Sequence, residues 1–340
     1  MHKKVILVIA GAALALLAAV SWVPYTVFRK AVHADTRSYV YIDRDDTSDS
    51  LYRKLESLGQ HQVVRGMRIV ARFKGGAPVP TGRYQLYDGD HAWALYQRVF
   101  RGHQSPVRLA VSSARSMEAF AGKVAHQLMI DSVEIVELLH DSAFCAAKGY
   151  TPDTRMSMIV PNTYEVYWNI GAEALINRLL KERDAFWNDD RMRKASELGL
   201  TTQEVCTLAS IVDEESNMSN EKPIIAGLYL NRLRRGMPLQ ADPTVKFAMG
   251  DASIRRITRD MLEVESPYNT YLHAGLPPGP IRIASIKGID GVLNYAQHNY
   301  LYMCAKEDFS GYHNFAATHS EHMRNARRYW NALNKRKIFK

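Results

Sequence analysis

The sequence has little cysteine, and the cysteines it has are far apart. Its 340 residues include three, Cys145, Cys206 and Cys304, with no CxxC spacing and no histidine pairing. This pattern argues against a disulfide framework and against a metal site. Cys206 falls within an apolar helical pattern, which is typical of a small core residue. We therefore expect no metal site, and we expect no cofactor either.

Other absences exclude whole classes of function. The formal net charge is +9, but no zinc-finger spacing, RNP-like aromatic motif or basic helix with heptads accompanies it, so we expect no nucleic-acid partner. No GxSxG motif occurs, which leaves a serine nucleophile without support. The positive charge instead suits an acidic or anionic surface. With 46% hydrophobic and 23% charged residues and no low-complexity tract, the composition is that of a folded protein.

The N-terminus carries one long apolar run. MHKK is followed by VILVIAGAALALLAAVSWVPYTVF, which has no charge from Val5 to Phe28. The run is longer than the roughly 7–15 residues of a signal-peptide core and exceeds the roughly 20 residues that cross a bilayer as a helix. Trp22 and Tyr25 lie near one end, as in an aromatic belt. We predict a cytoplasmic stretch at 1–4 and an uncleaved transmembrane helix at 5–28, with a cleaved signal peptide as the alternative.

The flanking charges do not decide the orientation of this helix. Lys3 and Lys4 on one side nearly balance Arg29 and Lys30 on the other. A long polar part that follows a single N-terminal span usually crosses the membrane, so we place it outside the cytoplasm. Residues 29–37 are polar and predict a short tether.

Two folded parts are expected after the tether. In the first, 37–104, the patterns predict a strand at 38–43, a helix at 47–58, a strand or helix at 67–73, a strand at 82–86 and a helix at 91–99. The second, 105–335, alternates helices with short strands. Its best-patterned helices are at 202–215 and 221–235, followed by an extended segment at 237–245 and a strand at 300–305. This mixture predicts an α+β fold rather than a doubly wound sheet.

Three consecutive carboxylates end the helix predicted at 202–215. Helical spacing places Glu215 one turn beyond Ile211 on the apolar face, and places Asp213 on the far side. Apolar walls, the like charges of Asp213 and Glu214 and the negative end of the helix dipole would all raise the pKa of Glu215. Glu215 is therefore the candidate general acid, and a solvated helix end is the alternative.

Loops rich in tyrosine, asparagine, glycine and proline follow this helix. They are SPYNTYLHAGLPPGPI (266–281) and GYHNF (311–315). Aromatic faces pack on the C–H groups of a sugar and amides bond its hydroxyls, so these loops suit a glycan. Each loop alone also fits ordinary turn chemistry.

Four long stretches resemble one protein family. They are IVPNTYEVYWN (159–169), LASIVDEES (208–216), IIAGLYLNRLRRGMPLQADPTV (224–245) and YNTYLHAGLPPGPI (268–281). In this order they resemble the MltG/YceG-type endolytic murein transglycosylases. The resemblance implies a protein anchored in the inner membrane, with its catalytic part on the periplasmic or outer side and with peptidoglycan synthases as neighbours. It also implies internal cleavage of peptidoglycan strands between N-acetylmuramic acid and N-acetylglucosamine, without water, to leave 1,6-anhydromuramoyl ends.

The resemblance also assigns residue roles. The catalytic glutamate of the family is the second Glu of an E-x-E-T/S pattern, which here reads Asp213-Glu214-Glu215-Ser216 and points to Glu215. Asp213 replaces the first Glu, a change of length but not of charge. Glu215 is expected to protonate the bridging oxygen and then to take the proton of the C6 hydroxyl that attacks C1. The residues expected to hold sugars or to support Glu215 are Gln240, Asp242, Thr244, Tyr268 and Asn269, although Asp242 could instead be a turn or N-cap residue.

Three further features have a counterpart in the family. The NRL motif falls on Asn231 and Arg232, of which Asn231 is a site candidate and Arg232 a candidate for a surface ion pair. His313 lies in a stretch that resembles the HxF pattern and is a further site candidate. The part at 37–104 resembles a small LysM-like subdomain. That likeness implies glycan contact, with a plain spacer as the alternative.

Two rival functions stay open at this point. One is a muramidase that uses water, which needs a second carboxylate across the substrate, and Asp242 is the candidate. The other is a membrane-anchored protein that binds or organises the wall without catalysis.

Overall fold

The chain folds into two units that each combine helices with short strands. The computed structural model describes residues 2–35, 38–251, 254 and 257–336. The first unit contains the described residues up to Leu109, together with Gln127–Met129 and Tyr164–Ile170, and the second contains the rest. The strand at 39–42 pairs antiparallel with the strand at 82–85, and the strand at 302–305 with the strand at 313–316. Together with the many helices, these antiparallel pairs confirm the predicted mixed α+β class.

The first unit begins with a long helix and continues as a β-α-α-β arrangement. Its elements in chain order are α1 (His2–Phe28), β1 (Tyr39–Ile42), α2 (Ser48–Ser57), α3 (His61–Lys74), β2 (Gly82–Gln85), α4 (Ala92–Phe100) and β3 (Val107–Ala110). β1 pairs with β2 in a register that joins Tyr39 to Gln85 and Ile42 to Gly82. A later strand, β4 (Thr163–Val166), pairs with β3. The pattern at 67–73 fits either a strand or a helix, and in the structure this segment is the second half of α3.

The apolar side chains of the strands and helices of the first unit pack together in one core. The strands contribute Ile42 and Tyr84, and the helices contribute Leu51, Met67 and Leu95, all of them almost fully buried. α2 begins with a capping box, in which the Thr47 hydroxyl accepts a hydrogen bond from the Ser50 N–H. α3 ends at Gly75, whose φ of 79° suits the left-handed conformation that closes a helix.

The apolar N-terminal run forms α1. Its segment Ile9–Phe28 is long and apolar enough to cross a membrane, with a mean hydropathy of 1.7 and little burial within the protein. The side chains of Leu16, Trp22 and Tyr25 are exposed, as expected of a helix that faces lipid.

The polar tether predicted at 29–37 is wrong over the described residues 29–35. Ala31 and Val32 are buried, and both of their N–H groups donate to the carbonyl oxygen of Asp90. Lys30 also forms an isolated β-bridge with His91. The chain is therefore held against the first unit directly after α1, because an Ala–Val pair inside a polar stretch is enough to anchor it. Residues 36 and 37 lie outside the described residues.

The second unit is mainly helical. Its helices are α5 (Met117–Ala125), α6 (Ser132–His140), α7 (Ser142–Ala147), α8 (Ala172–Phe186), α9 (Asp189–Glu197), α10 (Thr202–Glu215), α11 (Lys222–Arg234), α12 (Asp242–Ala248), α13 (Ile286–Leu293) and α14 (His319–Lys335). One-turn 3-10 helices occur at Arg155–Met158 and Asp260–Glu263. Strands β5 (Tyr302–Ala305) and β6 (His313–Ala316) form an antiparallel hairpin.

α10 is the central helix of the second unit. A capping box of Thr201 and Glu204 begins it, and it ends at Glu215 because Ser216 is extended, with φ −144°. Every residue from Val205 to Asp213 is buried. α10 packs against α11 and α13 in the core of this unit. The bounds predicted for this helix are confirmed. The single apolar face expected of it is wrong, because α11 and α13 pack around it and bury residues on all of its sides.

The segment after α11 differs from its prediction. Met237 to Ala241 has no regular structure, and α12 starts at Asp242. The extended segment predicted at 237–245 is therefore wrong at Gln240, whose φ is 51°, and from Asp242 onward. Pro243 lies in the first turn of α12, where its missing N–H breaks no helical hydrogen bond.

Candidate active site

A polar cavity opens at the C-terminal end of α10. Its volume is about 270 Å³. The Glu215 carboxylate reaches it from α10, and side chains from α11, α12 and the β5–β6 hairpin close it. The residues that line it are Glu215, Leu228, Tyr229, Arg232, Leu239, Gln240, Asp242, Tyr271, Met303, Cys304, Ala305 and His313.

Glu215 is held by a single short hydrogen bond. The Tyr229 hydroxyl donates to Oε1 of Glu215 at 2.7 Å. Burial raises the pKa of Glu215 above its ordinary value, and the like charge of Asp242 acts in the same direction. The Tyr229 hydrogen bond and the charges of His313 and Lys246 oppose this rise without cancelling it. Glu215 therefore keeps its proton to a higher pH than an exposed glutamate, as a general acid requires.

Asp213 is a buried structural ion pair. Its side chain is 3% exposed and forms a salt bridge with Lys222, which is 8% exposed. Its oxygens also accept hydrogen bonds from the Ser285 N–H at 2.6 Å and the Ser285 hydroxyl at 2.8 Å, at the start of α13. Asp213 was predicted to lie on the side of α10 away from the apolar stripe, and the structure shows that α13 packs on α10 and that Asp213 is buried.

Glu214 forms a different ion-pair cluster. The Arg115 guanidinium donates to both of its oxygens at 2.8 and 2.9 Å, and Arg282 donates to Oε1 at 2.8 Å. Burial raises the pKa of Glu214, but the hydrogen bond from Arg115 and the charges of both arginines outweigh burial and lower it. Asp213 and Glu214 each have a cation beside them. The like charge that raises the pKa of Glu215 therefore comes from Asp242. The expectation that it would come from the neighbouring Asp213 and Glu214 is wrong.

Gln240 lies just before α12, and Asp242 is the first residue of that helix. Oδ1 of Asp242 accepts a hydrogen bond of 2.6 Å from the Tyr271 hydroxyl. The N-cap position of α12 is Ala241, so the alternative reading of Asp242 as an N-cap is wrong. Gln240 has a φ of 51°, a left-handed conformation that is uncommon outside glycine and is often found at functional sites. Its N–H donates to the carbonyl oxygen of Thr270, which fixes this backbone beside the cavity.

Arg232 is a buried cation at the wall of the cavity. It is 7% exposed, so the expected surface ion pair is wrong. Its guanidinium donates to the carbonyl oxygens of Leu301, Pro238 and Leu239 and, at 3.1 Å, to Oε1 of Gln240. These bonds join the segment before α12 to the segment before β5.

His313 is oriented by a buried carboxylate. Its Nδ1 lies 3.0 Å from Oε2 of Glu221, and its backbone N–H donates to Oε1 of the same residue at 2.7 Å. The Ser216 hydroxyl also donates to Oε2 of Glu221, at 3.0 Å. Glu221 thus connects the residue after Glu215 to the imidazole on β6, which fixes the position of the ring at the cavity.

Four of the predicted sugar-binding residues lie outside the lining. Thr244 is fully buried and bonds to the Thr270 hydroxyl at 2.8 Å. The Tyr268 hydroxyl donates to Asp153. The Asn269 amide donates to the carbonyl oxygens of Leu262 and Val264, and the Asn231 amide to those of His298 and Tyr300. In this structure these side chains bond to other parts of the protein and do not line the cavity.

Several lining residues were not found by sequence reasoning. Tyr229 lies within α11 among apolar residues, and Tyr271 is one of several aromatic residues in the loop at 266–281. Their hydroxyls contact Glu215 and Asp242, and nothing in the local sequence marks either contact. Cys304 and Met303 come from β5, whose position beside α11 also depends on the tertiary fold. Among the described residues, no three His, Cys, Asp or Glu side chains are grouped so that they could hold a metal ion.

Known proteins are similar to this chain in sequence and in fold. The chain is 27% identical over 290 residues to the endolytic murein transglycosylase of Bacillus subtilis, which covers 80% of this chain and 79% of that protein. It is 28% identical over 227 residues to the endolytic murein transglycosylase of Streptococcus pneumoniae, but this match covers only 39% of the longer pneumococcal protein. The crystal structure of a yceG-like protein from Listeria monocytogenes, 23% identical, superposes with a TM-score of 0.56 over 86% of this chain and 99% of that one, which shows a shared fold.

A family model agrees with these relatives. The model of the YceG-like family matches residues 40–328, which include the whole cavity and every residue of the acidic triplet. The match extends over most of the described part of both units. The chain therefore belongs to the YceG-like family.

Proposed function

We propose that this protein is a lytic murein transglycosylase that cuts peptidoglycan strands internally, with Glu215 as its general acid and base. One observation carries the proposal. Of the three carboxylates that end α10, only Glu215 lines the cavity, whereas Asp213 and Glu214 are bound to Lys222 and to two arginines. The names of the Bacillus and Streptococcus relatives support the same substrate and reaction.

The first step breaks the bond between N-acetylmuramic acid and N-acetylglucosamine. Protonated Glu215 gives its proton to the bridging oxygen, and the C1–O bond breaks as positive charge develops on C1 and the ring oxygen. Burial raises the pKa of Glu215, which keeps this proton available. The Asp242 carboxylate in the same cavity favours the developing positive charge.

The second step closes the product ring. Glu215, now ionised, takes the proton of the C6 hydroxyl while that oxygen bonds to C1 of the same muramic acid residue. The products are a strand with a 1,6-anhydromuramoyl end and a strand with a free N-acetylglucosamine end, and Glu215 regains its proton. No water enters the balance, so a second carboxylate to activate water is not required.

The other polar side chains of the cavity are suited to holding sugars. Gln240 and His313 present an amide and an imidazole to it, and both are fixed from behind, by Arg232 and by Glu221. Rigid polar groups of this kind position a substrate at little entropic cost. Thr244 and Asn231 act indirectly in this proposal, by fixing the backbone on which the lining residues stand.

We further propose that α1 anchors the protein in the cytoplasmic membrane, with both folded units on the outer side. The apolar segment Ile9–Phe28 supports the anchor, and a wall substrate requires the outer side. The β-α-α-β part of the first unit would act as a LysM-like glycan contact. Peptidoglycan synthases would be natural neighbours, since they supply the strands that this enzyme cuts.

A second candidate is hydrolysis of the same bond by a muramidase mechanism. It is favoured by the presence of Asp242 in the same cavity as Glu215. Two carboxylates that flank a glycosidic bond can perform acid–nucleophile or acid–base chemistry with water. This reaction would leave ordinary reducing ends, so the product separates the two mechanisms.

The role of Glu215 is tested with two matched variants. The full chain in detergent is incubated with purified peptidoglycan strands, and new glycan ends are counted. Glu215→Gln should lower cleavage by about a hundredfold or more, in line with the contribution of general acid–base catalysis. Glu214→Gln, the same change one residue earlier, should keep most of the activity. Equal activity of Glu215→Gln and the unmodified protein would refute the assignment, and strand binding without any cleavage by the unmodified protein would favour a non-catalytic wall-binding role.

A further inference from the structure

The first unit has an apolar groove beside the end of α1. The groove has a volume of about 250 Å³ and lies between the last turns of α1, the second half of α3 and the start of α4. Its lining includes Val23, Phe28, Ile69, Phe73 and Trp93. Lys74 is its one charged lining residue, and the Lys74 Nζ lies 5.5 Å from the centre of the Trp93 ring.

The end of α1 is packed tightly against the wall of this groove. Gly66 in α3 has no side chain, and a Cβ atom there would lie 2.7 Å from the Thr26 carbonyl oxygen and 2.4 Å from the Ala92 Cβ. Val27 is buried in the core of the first unit. The buried Ala31 and Val32 then hold the chain that leaves α1. α1 and the folded part of the first unit therefore share a fixed geometry.

This geometry sets the depth of the groove relative to a membrane. At 1.5 Å per residue, the 20 residues of Ile9–Phe28 rise about 30 Å, the thickness of a bilayer hydrocarbon core. The last turn of that segment therefore lies at the boundary between the acyl chains and the headgroups. Ile69, Phe73 and Trp93 line the same groove as this turn, so they lie at a similar depth.

The surroundings of the groove match a lipid surface in polarity and charge. Phe73 is 79% exposed, and Trp22, Tyr25 and Phe28 on α1 are also exposed. The sequences of α1, α3 and α4 contain no aspartate or glutamate. Arg72 and Lys74 end α3 and are exposed. Aromatic side chains with flanking cations and no carboxylates are typical of segments that lie in a membrane interface.

We propose that the outer leaflet of the bilayer occupies this groove. In this arrangement Phe73 inserts at the level of the upper acyl chains, and Arg72 and Lys74 contact lipid phosphates. The first unit is thereby held on the membrane surface at a fixed angle to α1. The inference rests on the membrane anchor in the proposed function and adds a second membrane contact to it.

The test measures the depth of single labelled positions in the full chain. Cys145 and Cys206 are buried, so a Cys304→Ser background leaves no exposed native thiol. Phe73→Cys is labelled with bimane in this background, and one chain is inserted into each nanodisc of phosphatidylcholine and phosphatidylglycerol. Part of the lipid carries bromine on the upper part of the acyl chain, where it quenches nearby fluorophores. Leu58→Cys, an exposed leucine of the same unit outside the groove, is the matched control, and Leu16→Cys within the span reports whether α1 is inserted.

The inference predicts strong quenching at positions 73 and 16 and little at position 58. It also predicts that Arg72→Glu with Lys74→Glu lowers the quenching at position 73 and leaves that at position 16 unchanged. Quenching at 16 without quenching at 73 would overturn the inference alone. No quenching at 16 would overturn the membrane anchor as well. If the label at position 73 is not quenched, but position 73 crosslinks between chains when two are placed in one disc, the groove is a contact between copies and the proposal is wrong.

Discussion

The hydroxyl of Tyr229 donates a hydrogen bond of 2.7 Å to Oε1 of Glu215. Burial, and then the nearby Glu215 charge, raises the pKa of Tyr229 well above its ordinary value, so the phenol keeps its proton over the working range of pH. The bond therefore stabilises the ionised form of Glu215 and opposes the rise in its pKa that burial causes. Burial and the charge of Asp242 thus raise the pKa of Glu215, and the Tyr229 hydrogen bond lowers it.

Removal of this hydroxyl should move the pH profile upward. In Tyr229→Phe the ionised carboxylate loses a donor, so the pKa of Glu215 rises and the acid stays protonated to a higher pH. The alkaline limb of the cleavage rate should shift to higher pH. The maximum rate should change by less than about tenfold, because one hydrogen bond contributes about 0.5–1.5 kcal/mol. The measurement is the initial rate of strand cleavage against pH, and a shift to lower pH would contradict this account.

Neutralisation of Asp242 should move the same limb in the opposite direction. Asp242→Asn removes the like charge that raises the pKa of Glu215 but keeps an oxygen for the Tyr271 hydroxyl. The pKa of Glu215 then falls, and the acid loses its proton at a lower pH. The cleavage rate should accordingly decline earlier as pH rises, with measurable activity at acidic pH. Complete loss of activity at every pH would instead favour Asp242 as the second carboxylate of a hydrolase.

The buried pair of Asp213 and Lys222 should matter for stability and not for the chemical step. Asp213→Asn leaves Lys222 buried without its counter-charge, which costs about 3–5 kcal/mol when one partner of a buried ion pair is removed. Thermal unfolding of the full chain should show this as a lower Tm. The double variant Asp213→Leu with Lys222→Met should recover part of the loss, since it removes both charges. An unchanged Tm for Asp213→Asn would show that the pair does not hold α10 to α11.

The thiol of Cys304 offers a report on occupation of the cavity. Cys304 is partly exposed and lines the cavity, whereas Cys145 and Cys206 are buried. Burial, followed by the charge of Glu307, raises the pKa of the Cys304 thiol, so iodoacetamide should react slowly at neutral pH and faster as pH rises. Glycan strands bound to the inactive Glu215→Gln protein should slow this reaction, as read by mass spectrometry of peptides. The same rate with and without glycan would place the substrate elsewhere, and Cys304→Ser serves as the control for labelling at other sites.

The parts of the fold that depend on local pattern could be predicted. α10 begins at Thr202 and ends at Glu215, as its spacing indicates, and the order of elements in the first unit follows from its alternating and helical patterns. α12 was missed because polar and apolar residues alternate from Gln240 to Val245, a pattern that also fits a strand. The Asp-Pro start was the available sign of a helix, since proline is favoured in the first turn.

The contacts of the site could not be predicted from the sequence, because the residues that make them are far apart in the chain. Arg115 lies 99 residues from Glu214, and Tyr271 lies 29 residues from Asp242. Helical spacing selected Glu215, but it could not show that α13 buries Asp213 or that arginines neutralise Glu214. The distinction among three adjacent carboxylates therefore depends on partners that only the tertiary fold supplies.

The chemistry of the new glycan ends tests the central claim most directly. Full-length protein and Glu215→Gln are incubated with strands of known end composition, and the products are reduced with borohydride and weighed by mass spectrometry. The account predicts new muramoyl ends one water lighter than a reducing sugar and unchanged by borohydride, formed by the unmodified protein and not by the variant. New ends that gain two hydrogens on reduction would show that water had attacked C1, which would contradict the transglycosylase mechanism.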